Sequence, residues 1–273
     1  MHYLTSSVAH SPMIWQIIVY GSLLFCCWNL ENIAGFALNY KKWKHAFLNA
    51  GFILTNLPGQ YLMGMAFALV IRWTGTHQFG FLYHLRARHD SIMVFIAGFI
   101  FLDFGEYVYH ILMHKIRRLW IFHLVHHSDQ AVDVSTALRE HPVENVIRQS
   151  FTLAWVLLSG VPVWVLFLRQ VIQIPTTFLA HINYRLPEKI DHIVGLVFIT
   201  PNLHQVHHHY RQPYTDCNYG DVLSVWDRLF KTFKKLPSTQ VTFGVDNCFK
   251  NKDSGDFMSV LKIPFDEYKK NKI

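Results

Sequence analysis

His110-Ile-Leu-Met-His114, then eight residues, then His123-Leu-Val-His126-His127: five histidines fall within eighteen positions. A second run, His204-Gln-Val-His207-His208-His209, repeats the later spacing about eighty residues on. On a helix the spacings i, i+4 and i, i+3, i+4 stack side chains along one face, so each run can aim several imidazoles at one point. One i, i+4 pair can arise by accident. One such pair plus two His-x-x-His-His runs in a single chain points to a metal centre. Neutral imidazole suits zinc, iron, copper and nickel alike. A single zinc ion is satisfied by four ligands, so eight or nine imidazoles imply two metals, each holding four or five.

The 273 residues around these runs are 51% hydrophobic and 15% aromatic, with 16% charged, against about a quarter charged in soluble globular proteins. This is the composition of a membrane protein. The net charge of +7 accompanies no recognisable nucleic-acid motif, so no nucleic-acid partner is expected and the basic residues are read as membrane-flanking. Cys26, Cys27, Cys217 and Cys248 form no Cys-x-x-Cys pair. They are read as free thiols on a chain whose site faces a reducing compartment.

The absence of Lys or Arg before the first apolar run argues against a cleavable signal. Met13 to Leu30 is long enough for one span of about 20 residues, and Lys41, Lys42 and Lys44 mark its cytoplasmic end. A second run from Ala46 to Trp73 crosses back, with Pro58-Gly59 expected to kink it or start a half-helix. Thr74 to Asp90, which includes Arg86 and Arg88, reads as an outer loop. Ser91 to His114 is the third span. Asp103, Tyr107, His110 and His114 form a stripe down its face, and ionisable groups at membrane depth usually point toward function. Lys115, Arg117 and Arg118 mark emergence into the cytoplasm. Asp129 to Arg148 is polar, a loop or short helix over the site. Ser150 to His181 is too short for two full spans and is expected to form a short helical hairpin turning near Gly160 to Pro162. From Leu186 onward the chain is expected in the cytoplasm, with Ile193 to Ile199 resting in the interface and a solvated lysine-rich end.

The isolated histidines His2, His10, His45, His77, His84, His89 and His192 are read as loop or span-end residues rather than ligands. The remaining motifs, in order, are Asp103-Phe-Gly-Glu-Tyr-Val-Tyr-His110-x-x-x-His114, His123-Leu-Val-His126-His127, Arg139-Glu-His141-Pro142, His181-Ile-Asn183-Tyr-Arg-Leu-Pro187, Thr200-Pro-Asn-Leu-His204-x-x-His207-His208, Asn218-Tyr219-Gly220 and Trp226-Asp227-Arg-Leu-Phe230. In this order and spacing the chain, from about Ser91 to Lys234, resembles the fatty acid hydroxylase superfamily, which includes sterol desaturases, membrane fatty acid hydroxylases and alkylglycerol monooxygenase. The resemblance implies a non-haem di-iron centre at the cytoplasmic mouth of a four-helix membrane bundle, using O2 and external electrons. It implies the ligands His110, His114, His123, His126, His127, His181, His204, His207 and His208. His209, about 100° round a helix from His208, is expected to face solvent or to stand behind the ligands. Each ligating imidazole needs a partner on its other nitrogen, and Asp103, Glu106, Asn218 and Asp227 are the candidates. His141 is read as a hydrogen-bonded loop residue, and Arg139 as structural or a contact for a lipid head group.

The expected architecture is therefore all-α. It is a polytopic membrane helical bundle of about four spans, the last a short hairpin, with a cytoplasmic helical cap carrying the di-metal site. Residues 1–90 are the N-terminal helices and outer loop, 91–235 the catalytic region and 236–273 a cytoplasmic tail. The expected activity is an O2-dependent hydroxylation or desaturation of a lipid C–H bond, sterol-like or fatty acyl. Two irons serve as cofactor, with zinc able to substitute in a purified sample. Electrons come from a separate ferredoxin or cytochrome type donor, since no haem or iron–sulfur motif is visible. The third-span aromatics Phe95, Phe99 and Tyr107 line a lipid slot or pack the bundle. The membrane is a bacterial inner membrane or the endoplasmic reticulum. Two rivals remain: a zinc-dependent membrane hydrolase, for which the usual His-Glu-x-x-His box is missing, and a metal transporter, whose ligands would lie nearer mid-membrane.

Overall fold

The computed structural model describes residues 12–36, 40–85, 87–245 and 256–270. His2, His10, Arg86, Cys248 and residues 271–273 lie outside the described residues. Within them the chain is helical, without a strand; the only β pairings are isolated bridges, Phe198 with Leu223 and His209 with Phe243. The helices are α1 (Pro12–Ala34), α2 (Lys42–His77), α3 (Ile92–Lys115), α4 (Arg117–His127), α5 (Pro142–Ser159), α6 (Val163–His181), α7 (Glu188–Val194), α8 (Pro201–His207), α9 (Val225–Leu229) and α10 (Phe257–Lys270). Short 3-10 turns cover Phe81–His84, Val134–Leu138 and Ser238–Gln240.

Among the described residues three stretches are long and apolar enough to cross a membrane: Lys42–His84, Ile92–Lys115 and Val163–His181. At 1.5 Å per residue a helix the length of α2 exceeds the roughly 30 Å of a bilayer core, so its ends project beyond it. Its outer face leaves Phe47, Leu54, Tyr61, Leu62 and Leu69 exposed. An apolar surface of that extent calls for lipid or a partner. The inner faces of α3, α5 and α6 close over Val94, Leu102, Val156, Val161 and Val165.

The hairpin turns where the sequence placed it, but its first limb begins earlier than expected. Pro142 occupies the first turn of α5, and the His141 side chain caps that helix by accepting from Val143 N at 3.1 Å. The end of the polar Asp129 to Arg148 segment, read as a loop or short helix, thus already belongs to α5. α2 also departs from expectation, running unbroken through Pro58. The Pro58-Gly59 pair instead marks close packing with α5, since a Cβ on Gly59 would lie 2.9 Å from the Val146 side chain. The segment expected as a tail contains α10, whose Phe257 ring packs on Phe52 of α2 at 4.9 Å and whose Val260 is buried.

Two polar devices tie the apolar bundle to the histidine-bearing cap. Glu31 on α1 accepts from the backbone N–H of Val134 at 2.6 Å and of Asn183 at 2.8 Å, and pairs with Lys42 at 3.0 Å. His45 on α2 reaches Asp129 at 2.8 Å and Asp133 at 3.1 Å in the loop after the second histidine run. A single carboxylate serving two buried N–H groups on distant loops fixes their relative position, because losing it would orphan both donors.

At the hairpin turn Gly160 adopts φ 65° and Gly80 φ 114°, and a Cβ on Gly160 would overlap the Phe79 carbonyl oxygen. Gly160→Ala is therefore expected to cost about 1–3 kcal/mol. Thermal unfolding of the detergent-solubilised protein checks this; an unchanged midpoint would show that the turn tolerates a side chain.

Candidate metal centre

The nine histidines that the resemblance named as ligands come together from four elements. His110 and His114 lie on the last turns of α3, and His123, His126 and His127 on the last turn and a half of α4. His181 is the final residue of α6, His204 and His207 lie on α8, and His208 caps it. α8 starts with Pro201 and a Thr200 hydroxyl accepting from Leu203 N at 3.2 Å, which fixes the direction of this short helix.

The rings fall into two groups. His110, His114, His123, His127 and His207 form one, and His126, His181, His204 and His208 the other; within each, one ring nitrogen per residue lies within 4.8 Å of the others. The two His-x-x-His-His runs are shared between them. His123 and His127, four apart on α4, serve the five-histidine group while His126 turns to the four-histidine group. His204 and His208 serve the four-histidine group while His207 turns to the other.

Hydrogen bonding fixes which nitrogen faces inward. The Nδ1 atoms of His110, His126, His181 and His207 lie 2.9, 3.3, 2.8 and 2.7 Å from the carbonyl oxygens of Tyr219, Arg139, Thr177 and Cys217. A carbonyl only accepts, so each Nδ1 carries the proton and each Nε2 presents a bare lone pair. His123 Nδ1 meets Glu144 at 2.6 Å and His114 Nδ1 meets Asp216 at 3.3 Å, giving the same tautomer. Yet His126 Nε2 and His181 Nε2 stand 3.1 Å apart, and His110 Nε2 and His123 Nε2 3.2 Å apart. Two lone pairs at that separation repel. A cation between them removes the conflict: metal–nitrogen bonds of about 2.1 Å put adjacent ligand atoms about 3.0–3.4 Å apart. The buried Nε2 atoms of His114 and His207 have no hydrogen-bond partner, as ligand atoms awaiting a metal would not. Burial and the surrounding imidazoles hold His126, His127, His204 and His208 well below the usual histidine range, and His207 at about 3. These five rings are thus held in the neutral form, the one that binds metal.

The partners of these imidazoles differ from those expected. Asp103 is fully buried and touches no histidine; it accepts from Trp226 Nε1 at 2.7 Å and Val222 N at 3.1 Å. Asp227 accepts from Tyr219 N at 2.8 Å and Gly220 N at 2.9 Å. Asn218 donates to Leu203 O at 2.9 Å and Lys234 O at 2.8 Å. All three therefore shape the loop whose Tyr219 and Cys217 carbonyls hold His110 and His207, one step further out than the sequence suggested. Glu106 faces Thr152 at 2.8 Å and Arg169 at 3.4 Å. The direct carboxylate partners, Glu144 and Asp216, escaped sequence reading, as did the His45–Asp129 pair. Arg139 is structural: its guanidinium donates to Val125 O at 2.9 Å and Ser128 Oγ at 2.8 Å while its carbonyl serves His126. His141 caps α5, outside both groups. His209 is buried rather than solvent-facing, its Nδ1 accepting from Thr242 N at 3.1 Å. Phe95 and Phe99 pack against each other, and Phe95 also against Trp164.

Both groups border one cavity of about 70 Å³, where His110, His123, His126, His181 and His204 meet Tyr109, Glu140, Glu144, Arg148 and Asp221. The arrangement can hold two adjacent cations and admit a small reactant to both from one side.

Comparison with known proteins agrees with this geometry. The fatty acid hydroxylase family model matches residues 95–232. The chain is 30% identical to an alkylglycerol monooxygenase of Danio rerio over 209 residues, covering 72% of this chain and 42% of that protein. It is 28% identical to the Homo sapiens alkylglycerol monooxygenase over 57% of this chain and 34% of that one. It is also 30% identical to the ornithine lipid hydroxylase OlsE of Rhizobium tropici, over 62% of this chain and 50% of that one. The chain thus matches between about a third and a half of the length of these relatives. No solved structure matches. A family match that covers half of the chain and all nine histidines of the two groups places the chain in the fatty acid hydroxylase family.

Because Glu144 is the buried partner of His123, Glu144→Ala is expected to weaken metal retention about 10- to 100-fold, with Glu144→Gln intermediate. Metal content after graded chelator treatment measures it; equal retention in all three proteins would remove Glu144 from the centre.

Proposed function

We propose that this chain is a membrane oxygenase that uses two histidine-bound irons and O2 to hydroxylate or desaturate a C–H bond of a lipid. The observation that carries the reading is the pair of converging Nε2 sets, five and four, with inward lone pairs opposed at 3.1 and 3.2 Å. His110, His114, His123, His127 and His207 would hold one ion and His126, His181, His204 and His208 the other. Sets of four and five imidazoles, without thiolate, also suit a redox-active metal, and the relatives' names, lipid monooxygenase and lipid hydroxylase, favour iron over zinc. Bound there, two irons supply the capacity to reduce O2 and oxidise an unactivated C–H bond.

The chain's own residues do the rest. Tyr219, Arg139, Thr177 and Cys217 carbonyls keep the Nδ1 atoms of His110, His126, His181 and His207 protonated, so the Nε2 of each of these four rings remains available and the rings are held in orientation. Glu144 and Asp216 place negative charge behind two neutral ligands, offsetting part of the positive charge that nine neutral imidazoles leave on the ions. The packed rings exclude bulk water, and the shared cavity confines the reactant beside both groups. Tyr109 and Arg148 on its wall can donate hydrogen bonds to a lipid's polar portion. The exposed apolar faces of α2, α3 and α6 support delivery of that lipid from the bilayer. Lys41, Lys42, Lys44, Arg117 and Arg118 favour a cytoplasmic position for the site by the positive-inside bias, open to a separate electron donor. The substrate class is a membrane lipid, as the names of the relatives suggest.

Two outcomes follow. Purified protein is expected to bind two irons and, with a reductant, 18O2 and host lipid extract, to transfer one 18O into a lipid or form a new double bond; iron-loaded protein that consumes no O2 would sink the reading. His181→Ala is expected to halve the iron content, and the paired variant His126→Ala/His127→Ala, which strikes both groups, to lower it further. Equal iron in all variants, measured by elemental analysis, would show that the histidines are not the ligands.

A further inference from the structure

Trp120 connects the five-histidine group to the protein surface. Its ring lies 4.8 Å from that of His114, 5.3 Å from that of His127 and 6.1 Å from that of His123. Trp120 also lines an open surface cavity of about 440 Å³, which His114 borders too, though its side chain is buried. Tyr219 also contacts rings of this group, but it is fully buried and reaches no surface. The lining carries Lys115 and Arg117 against Asp216 and Glu267, and Arg118 and Arg211 stand exposed beside lining residues, so with Lys115 paired the unengaged charge at the rim is that of the arginines. The acids there are engaged: Asp216 binds Lys115 at 2.7 Å and His114 at 3.3 Å, and Glu267 has an interaction of its own. Among the described residues, neither Arg117 nor Arg118 forms an ion pair.

An indole in contact with three ligand imidazoles and open to solvent is a short aromatic path from the surface to a metal. A rim of unneutralised arginines selects a partner of opposite charge, through long-range attraction that raises encounter rates. We infer that this face is where an acidic one-electron carrier protein docks, and that Trp120 is the residue through which its electron reaches the ion held by the five-histidine group. The inference rests on the di-iron reading above. In each docking event the carrier's iron–sulfur cluster or haem is oxidised by one electron and one ferric ion becomes ferrous. Trp120 is neither oxidised nor reduced overall. Two such events supply the two electrons which, with two protons, convert lipid C–H and O2 into C–OH and water.

The test uses full-length, iron-loaded ferric protein in nanodiscs of neutral phosphatidylcholine, so that anionic lipid plays no part. Ferrous ion formation is followed by freeze-quench Mössbauer spectroscopy, with either an acidic plant-type ferredoxin or dithionite as reductant. Trp120→Leu is expected to keep wild-type iron content and its rate with dithionite, yet to slow reduction by ferredoxin about tenfold or more, and Trp120→Phe to restore most of the rate. Arg117→Glu/Arg118→Glu is expected to slow ferredoxin reduction at low salt, with the difference shrinking as salt rises. Equal ferredoxin rates in wild-type and Trp120→Leu protein would overturn the path. Failure of ferredoxin to reduce wild-type protein that dithionite does reduce would overturn the acidic donor. Wild-type protein without reducible iron would instead overturn the di-iron reading, and this proposal with it.

Discussion

His126 and His181 face one another with unprotonated nitrogens 3.1 Å apart, and the rest of the structure arranges for them to stay there. The Arg139 and Thr177 carbonyls remove the tautomer that would relieve the repulsion by letting one ring donate to the other. The same constraint recurs between His110 and His123. An apolar bundle has no use for such pairs, since each buried lone pair without a donor costs about 1–3 kcal/mol. Their presence in both groups makes cation binding the condition under which the interior is satisfied.

Holding six of the nine rings through Nδ1 requires a polar layer behind them, and that layer explains features otherwise odd in a membrane protein. The loop at 216–223 delivers two carbonyls and one carboxylate to the ligands, and is itself pinned by Asp103, Asn218 and Asp227. The loop after His127 is pinned from the bundle side by His45, Glu31 and the Arg139 guanidinium. Fully connected networks of this kind are rigid and intolerant of single deletions. They also couple α1 and α2 to the site: neither contributes one of the nine histidines, but each contributes a residue that fixes a loop beside one.

The helical class, the positions of α2 and α3, the hairpin turn at Gly160 and the coming together of the nine histidines were all legible in the sequence, because apolar run length and imidazole spacing report on single helices. Information that depends on pairing distant segments was not. The division of each His-x-x-His-His run between two groups depends on helix crossing angles that no spacing encodes. Asp103 shares a helical stripe with His110, which made it look like its partner; in the fold its carboxylate is taken up by Val222, Leu223 and Trp226. Glu144 lies twenty-one residues from His123, in a polar segment that reads as a loop or short helix with nothing to tie it to that ring. His45 looked solitary because Asp129 and Asp133 reach it only in three dimensions. The polar Asp129 to Arg148 segment reads as a loop or short helix, and α5 begins inside it at Pro142 because proline favours the first turn of a helix.

The central claim is that two cations sit in separate histidine sets and are held through Nε2. A crystal structure of the iron-loaded protein with an anomalous difference map at the iron edge tests it most directly. The account expects two peaks, one within bonding distance of Nε2 of His110, His114, His123, His127 and His207, the other of His126, His181, His204 and His208. A single peak, or a metal bound through Nδ1 with the carbonyl contacts broken, would contradict it.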